Sequence, residues 1–93
     1  MQRLLWHLIV GTRGGINRAR ILVRLKDRPY NANSLAAELG LDYKTVRHHL
    51  RVLRKNDLVM SSKEEYSTLY FLTPTMLRTW EDFEVIWKKV GEK

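Results

Sequence analysis

Apolar residues recur along the chain at two spacings, and the change from one to the other divides it into helices and a ribbon. Near the N-terminus Leu4, Leu5, Leu8 and Ile9 share one face of a helix predicted over residues 1–12. After GTRGG a second stripe runs through Ile21, Leu22 and Leu25. Asn17 is its predicted N-cap, with Ile16 and Ile21 in hydrophobic-staple positions, and the helix stops before Pro29, whose ring disfavours helical geometry at Arg28. Leu35, Ala36 and Leu39 form a third stripe starting near Asn33 or Ser34, and Val46, Leu50 and Leu53 form a fourth. The period then shortens. Leu58 to Ser61 and Tyr66 to Thr73 read as two strands, since in the second Leu69 and Phe71 alternate with Thr68, Tyr70 and Leu72. From Pro74 the helical spacing returns: Met76, Trp80, Phe83, Trp87 and Val90 follow at intervals of 4, 3, 4 and 3. Thr73 as N-cap, Pro74 at the first helical position and Gly91 past the end bracket this last helix. The pattern predicts a mainly α fold with a small β-ribbon, of the α+β class, in one domain spanning residues 1–93.

Residues 33–55 hold the informative pair of helices. Gly40 can adopt the positive φ that turns the chain sharply out of the first, Asp42 is placed to N-cap the second, and the small Ala36 and Ala37 allow a close crossing. With Val46, Leu50 and Leu53 buried, the opposite face of the second helix carries Lys44, Arg47, His48 and Arg51 at i, i+3, i+4 and i+7. A helix-turn-helix with such a stripe is built to read DNA, with helix 42–55 in the major groove. Lys44, Arg47, His48 and Arg51 are the candidate base contacts. Arg47 and Arg51 lead, because a guanidinium pairs bidentately with guanine O6 and N7. Tyr43, Thr45 and Arg54 are candidate phosphate contacts that set register.

Arg18 and Arg20 stand in the first turn of the second predicted helix, where the helix dipole disfavours cations unless an anion is near. Arg13, Arg18 and the N–H groups behind Gly14 and Gly15 therefore form a candidate phosphate cradle, with a merely solvated basic turn as the competing reading. The strands at 58–73 form a wing. Its tip, Lys63-Glu64-Glu65, is net negative, so deep insertion beside phosphates is disfavoured and Lys63 is left with a marginal backbone contact at most.

Charge agrees with a polyanionic partner. Lys and Arg number 17 against 10 Asp and Glu, for a net charge of +7 and a pI near 10.1. The positive excess sits in residues 1–57, which include the helix-turn-helix. The absence of cysteine removes a disulfide framework, a thiolate zinc site and a cysteine nucleophile, and fits a reducing cytoplasm. Arg3 followed by LLWHLIV imitates a signal peptide, yet the apolar run contains His7 and leads into GTRGG rather than a small-residue cleavage site. It also falls far short of the roughly 20 apolar residues of a bilayer span. A cytoplasmic protein without a membrane partner is expected.

A chain of this size buries only about 60 to 65% of its unfolded surface, so pairing of two copies would help to stabilise it. Two tryptophans on one seam exceed what a lone terminal helix shields. Met76, Trp80, Phe83, Trp87 and Val90, with Leu4, Leu5 and Leu8 of the N-terminal helix, are the expected homodimer interface; the alternative is that the stripe caps the monomer core.

The order of helix, helix, helix-turn-helix, two-stranded wing and aromatic C-terminal helix resembles the winged-helix transcription regulators of the ArsR-like type, especially small archaeal members. GGINRARIL, NANSLAAELGLDYKTVRHHLRVL and YFLTP carry the likeness, which covers nearly the whole chain. It implies a winged helix-turn-helix with N- and C-terminal dimerisation helices (1–12 and 74–90), binding double-stranded DNA as a homodimer on an inverted repeat, with recognition helices about 34 Å apart. The metal-sensing members of that family carry a cysteine pair or carboxylate and histidine ligands on the last helix. Here there is no cysteine, the last helix has no histidine, and His48 and His49 diverge by about 100° on their helix, so no metal is expected. His48 reads as a DNA contact and His49 as a partly buried packing residue. No paired carboxylates, catalytic triad or Gly-rich phosphate loop points to an enzyme, and no cofactor or small-molecule substrate is expected. The competing readings are a winged-helix protein-interaction module and a non-specific, chromatin-like DNA binder.

Overall fold

The computed structural model describes residues 2–62 and 67–90, and in them the apolar stripes converge on one core. Helix α1 (Gln2–Ile9) buries Leu5, Leu8 and Ile9. It ends three residues earlier than the predicted 1–12. Helix α2 (Gly15–Asp27) follows so tightly that a Cβ on Gly15 would stand 1.9 Å from the Ile9 carbonyl oxygen, a separation only glycine permits. This turn overrides the expected cap. Gly14 is the N-cap, Asn17 lies inside the helix with its Oδ1 accepting from Arg20 Nη1 at 3.0 Å, and Ile16 is 49% exposed, so no staple forms with the buried Ile21.

Arg28 is extended before Pro29, as the ring requires, and its guanidinium stacks 3.9 Å above the Tyr30 ring. Helix α3 (Ala32–Leu39) starts slightly earlier than predicted because Asn31, rather than Asn33 or Ser34, is the cap, its Oδ1 accepting from Ser34 N at 2.8 Å. Gly40 takes φ +66° at its end. Helix α4 (Tyr43–Lys55) opens on Asp42, whose Oδ2 accepts from Lys44 N at 3.0 Å and Thr45 N at 3.3 Å. Val46, Leu50 and Leu53 are buried as their spacing predicts, and His49 joins them.

The end of α4 is a Schellman motif. Leu58 N donates to the Leu53 carbonyl at 3.0 Å and Asp57 N to the Arg54 carbonyl at 3.1 Å, with Asp57 at φ +62°. The chain then enters β1 (Val59–Ser61), which pairs antiparallel with β2 (Tyr70–Leu72) in the register Val59 to Leu72, Met60 to Phe71 and Ser61 to Tyr70. The second strand is shorter than 66–73. Val59, Tyr70 and Leu72 face the core, while Met60 and Leu69 lie exposed. Lys63, Glu64 and Glu65 at the wing tip, and Gly91, lie outside the described residues.

Thr73 caps α5 (Pro74–Arg78) by accepting from Met76 N at 3.0 Å, and its hydroxyl donates to the Asp57 carbonyl at 2.8 Å. The single helix expected from Pro74 to Val90 is broken. At Thr79, whose hydroxyl donates to the Thr75 carbonyl at 3.1 Å, the chain bends into α6 (Trp80–Lys89). The seam is therefore not one exposed surface. Helix α6 packs along α1, so Leu5, Leu8, Met76 and Phe83 are consumed inside the monomer, with the Trp80 and Trp87 rings 4.7 and 6.2 Å from the Phe83 ring. Only Leu4, Trp80, Trp87 and Val90 of the expected interface stay part-exposed, and the capped core that was the alternative takes the rest. The architecture is mainly helical with a two-stranded antiparallel ribbon, that of a winged helix-turn-helix.

Asp57 holds a left-handed backbone that a Cβ disfavours, and its side chain makes no hydrogen bond or ion pair among the described residues that would offset this. Asp57→Gly should stabilise the fold by about 0.5 to 1 kcal/mol, read as a higher urea midpoint at unchanged slope. An unchanged or lower midpoint would count against strain there.

Candidate nucleic-acid interface

Because Val46, His49, Leu50 and Leu53 point inward, α4 turns Lys44, Arg47, His48 and Arg51 outward, and all four are exposed on one face. Tyr43 stands beside them. Arg47 Nη1 donates to the Tyr43 hydroxyl at 3.0 Å, with the guanidinium 5.8 Å from the Tyr43 ring centre, and this bond raises the Arg47 pKa above its ordinary value. The side chain is thus held rather than free to sweep. Arg54 is anchored at the wing root, donating to Ser61 Oγ at 3.1 Å, and with Arg47, Arg51 and Tyr70 it lines a small pocket. Thr45 is half-buried, and its backbone N–H is engaged by the Asp42 cap.

One part of this surface was not predicted. The cap of α3, the start of α4 and the strand side of the wing enclose a polar groove of about 270 Å3, lined by Asn31, Asn33, Tyr43, Arg47, Ser67 and Thr68 among others. Asn31 and Asn33 reach it because Tyr30 pairs with Tyr70 (Tyr70 N to Tyr30 O, 2.8 Å; Tyr30 N to Tyr70 O, 3.2 Å), laying the α2–α3 linker beside β2. The isolated Tyr30 carries no strand periodicity that would announce this.

Residues 17–61 match the arsR family of bacterial regulatory proteins. The matched segment covers a little under half of the chain and contains the helix-turn-helix. Around it the fold is similar to a probable transcriptional regulator from Pseudomonas aeruginosa (TM-score 0.76, 20% identity, 97% of this chain and 70% of that one). It is also similar to reduced HlyU from Vibrio cholerae (TM-score 0.68, 22% identity, 99% and 90%). A third is Lactococcus lactis ZitR, solved in complex with DNA (TM-score 0.65, 21% identity, 77% and 51%). In sequence the chain is 37% identical over 71 residues to the human chromodomain-helicase-DNA-binding protein 1, a stretch that makes up 4% of that protein.

The matched segment includes one residue whose predicted role the structure changes. Arg18 is 4% exposed and is not a surface phosphate contact. Its guanidinium donates from Nε to the Leu8 carbonyl at 3.0 Å, from Nη2 to Thr12 Oγ1 and to the Arg13 carbonyl, and meets His49 Nδ1 from Nη1 at 3.4 Å. The donors that were to hold a phosphate instead hold the end of α1, the turn and the recognition helix together. Arg13 is exposed, but it stands toward the C-terminal end of α4, away from the Lys44 end of the stripe. The candidate contact Lys63 lies outside the described residues. Among the described residues no cluster of His, Cys, Asp or Glu is placed to hold a metal ion, and no helix is long and apolar enough to cross a membrane.

Burial, then the Arg18 charge, then His48 push the His49 pKa below its ordinary 6.5. The folded state therefore holds His49 neutral, its Nδ1 accepting from Arg18. As pH falls below 6.5 the unfolded chain takes up the proton first. Stability should be full above that pH and decline below it. Urea midpoints from about pH 8 to about pH 5.5 check this, and His49→Gln should flatten the decline.

Proposed function

We propose that the chain is a sequence-specific, double-stranded DNA-binding transcription regulator that acts as a homodimer on an inverted repeat, with α4 in the major groove. The observation that carries this reading is the outward face of α4, where two arginines, a lysine and a histidine are exposed together and Arg47 is pre-set by Tyr43. A helix about 10 to 12 Å across fits a major groove about 12 Å wide. Arg47 and Arg51 read guanine edges, while Lys44 and His48 reach neighbouring bases. The Asp42 carboxylate already takes the Lys44 and Thr45 N–H groups, so a phosphate at the start of α4 is met by the Tyr43 and Thr45 side chains rather than by the helix end. Arg54, tied to Ser61, carries the backbone contact to the wing. The match of residues 17–61 to the arsR family, and the DNA complex solved for the similar ZitR, support the same reading.

The paired surface is the outer side of α1 and α6. Trp6 is 46% and Val85 53% exposed there, across a groove of about 440 Å3 between the two helices, with Trp87 part-exposed on α6. Unshielded aromatic and branched side chains of this size on a small protein mark a contact between copies.

Selection of bound duplexes from a random pool at near-physiological salt tests the reading, since it separates sequence recognition from electrostatic retention. An enriched inverted repeat with half-sites one helical turn apart is expected; retention without enrichment leaves a general DNA binder, and no retention leaves a protein-interaction module. Arg47→Ala should cost about 1 to 3 kcal/mol on the enriched site and far less on random DNA. Equal losses on both would remove Arg47 from base reading. Val85→Glu, on the solvent side of α6, should shift sedimentation from dimer toward monomer without lowering the monomer's helicity.

A further inference from the structure

A second electropositive surface lies where the α1–α2 turn meets the C-terminal end of α4. His7, Thr12, Arg13, Lys55 and Asn56 line a groove of about 510 Å3 there, and Arg18 lines it from within the fold. Every ionisable side chain in that lining is basic. The Arg13 and Lys55 side chains are exposed and have no hydrogen-bond or ion-pair partner among the described residues, where the salt bridge formed is between Arg24 and Glu38.

Arg18 is the decisive member. Its guanidinium is buried, yet its partners are two carbonyls, a hydroxyl and a neutral imidazole, and no carboxylate among the described residues answers its charge. A guanidinium keeps its proton even when buried, and a buried charge is ordinarily met by an opposite one. Two further cations converge on the same groove, which raises the cost of leaving it empty of anions.

We propose that this groove binds an oxyanion of the phosphate class, gripped by Arg13 and Lys55 with the fixed charge of Arg18 behind it. Arg13 offers a planar fork for two oxygens and Lys55 a point charge for a third, and three cations with no acid suit a multiply charged anion better than a carboxylate. Lys55 stands four residues beyond Arg51 and seven beyond His48, so it continues the recognition stripe around the helix end. The phosphate is therefore either a link of a DNA backbone or a free phosphate group, and both present the same oxygens. The site does not depend on sequence recognition by α4.

Thermal unfolding of the full chain in inorganic phosphate and in sodium chloride, at matched pH and ionic strength, tests it, with the double variant Arg13→Gln, Lys55→Gln alongside. Both side chains are on the surface, so the variant keeps the fold. Phosphate should raise the wild-type midpoint in a saturable way that chloride does not reproduce, and the variant should lose the rise while its midpoint in chloride is unchanged. Equal wild-type midpoints in the two salts, or an undiminished rise in the variant, would overturn the site. This measurement uses no DNA, so its failure is distinct from a failure of the DNA-reading role. The salt dependence of binding to a random-sequence duplex then names the source. A log–log slope lower by about 1 to 2 in the variant assigns the groove to the DNA backbone, and an unchanged slope beside a lost phosphate response assigns it to a free phosphate.

Discussion

Arg18 fixes the recognition helix to the rest of the molecule through one planar group. From the first turn of α2 it reaches the Leu8 carbonyl near the end of α1, the turn that follows and the inward face of α4 at His49. The carbonyl end of α1 is the negative end of its dipole and offsets part of the guanidinium charge, leaving the rest unanswered. The arrangement leaves no slack. Glycine stands at 14 and 15 because side chains there would run into His49 and into the Ile9 carbonyl, so the guanidinium, the imidazole and the turn fit as one unit. The outward direction of Arg47 and Arg51 follows from the burial of Val46, Leu50 and Leu53, and the Arg18 contact to His49 adds to the same anchor.

What could be read from the sequence was local. Asp42, Thr73 and Gly40 act as their types and spacing predict, because a cap is decided by one side chain and backbone groups two or three residues away. The inward faces of α2, α3 and α4 followed from period alone. The early starts of α2 and α3 were misplaced by a stronger competitor next door: Gly14 turns the chain before Asn17, and Asn31 caps before Asn33. The aromatic seam misled for a different reason. Its spacing is indifferent to what covers it, and the cover is α1 of the same chain, which periodicity cannot name.

The site divided along the same line. Residues on the open face of α4 were legible because amphipathicity marks both sides of a helix at once. Arg18 was not, because a basic residue in a first helical turn reads alike whether it meets solvent, an anion or its own protein. The buried pairing with His49 spans 31 positions, and only the tertiary fold brings the two together. The polar groove by Asn31 depends in the same way on Tyr30 meeting Tyr70.

That Tyr30 bridge also bears on how the protein behaves in a crowded solution. A two-stranded ribbon has two open edges, and an open edge offers free backbone donors and acceptors to any extended chain that drifts past. At Tyr70 both flanks are taken, by Ser61 of β1 on one side and by Tyr30 on the other. The linker thus works as a short guard strand at the base of the wing. A small protein is thereby spared, at this rung, the edge-to-edge pairing that turns exposed ribbons into aggregates.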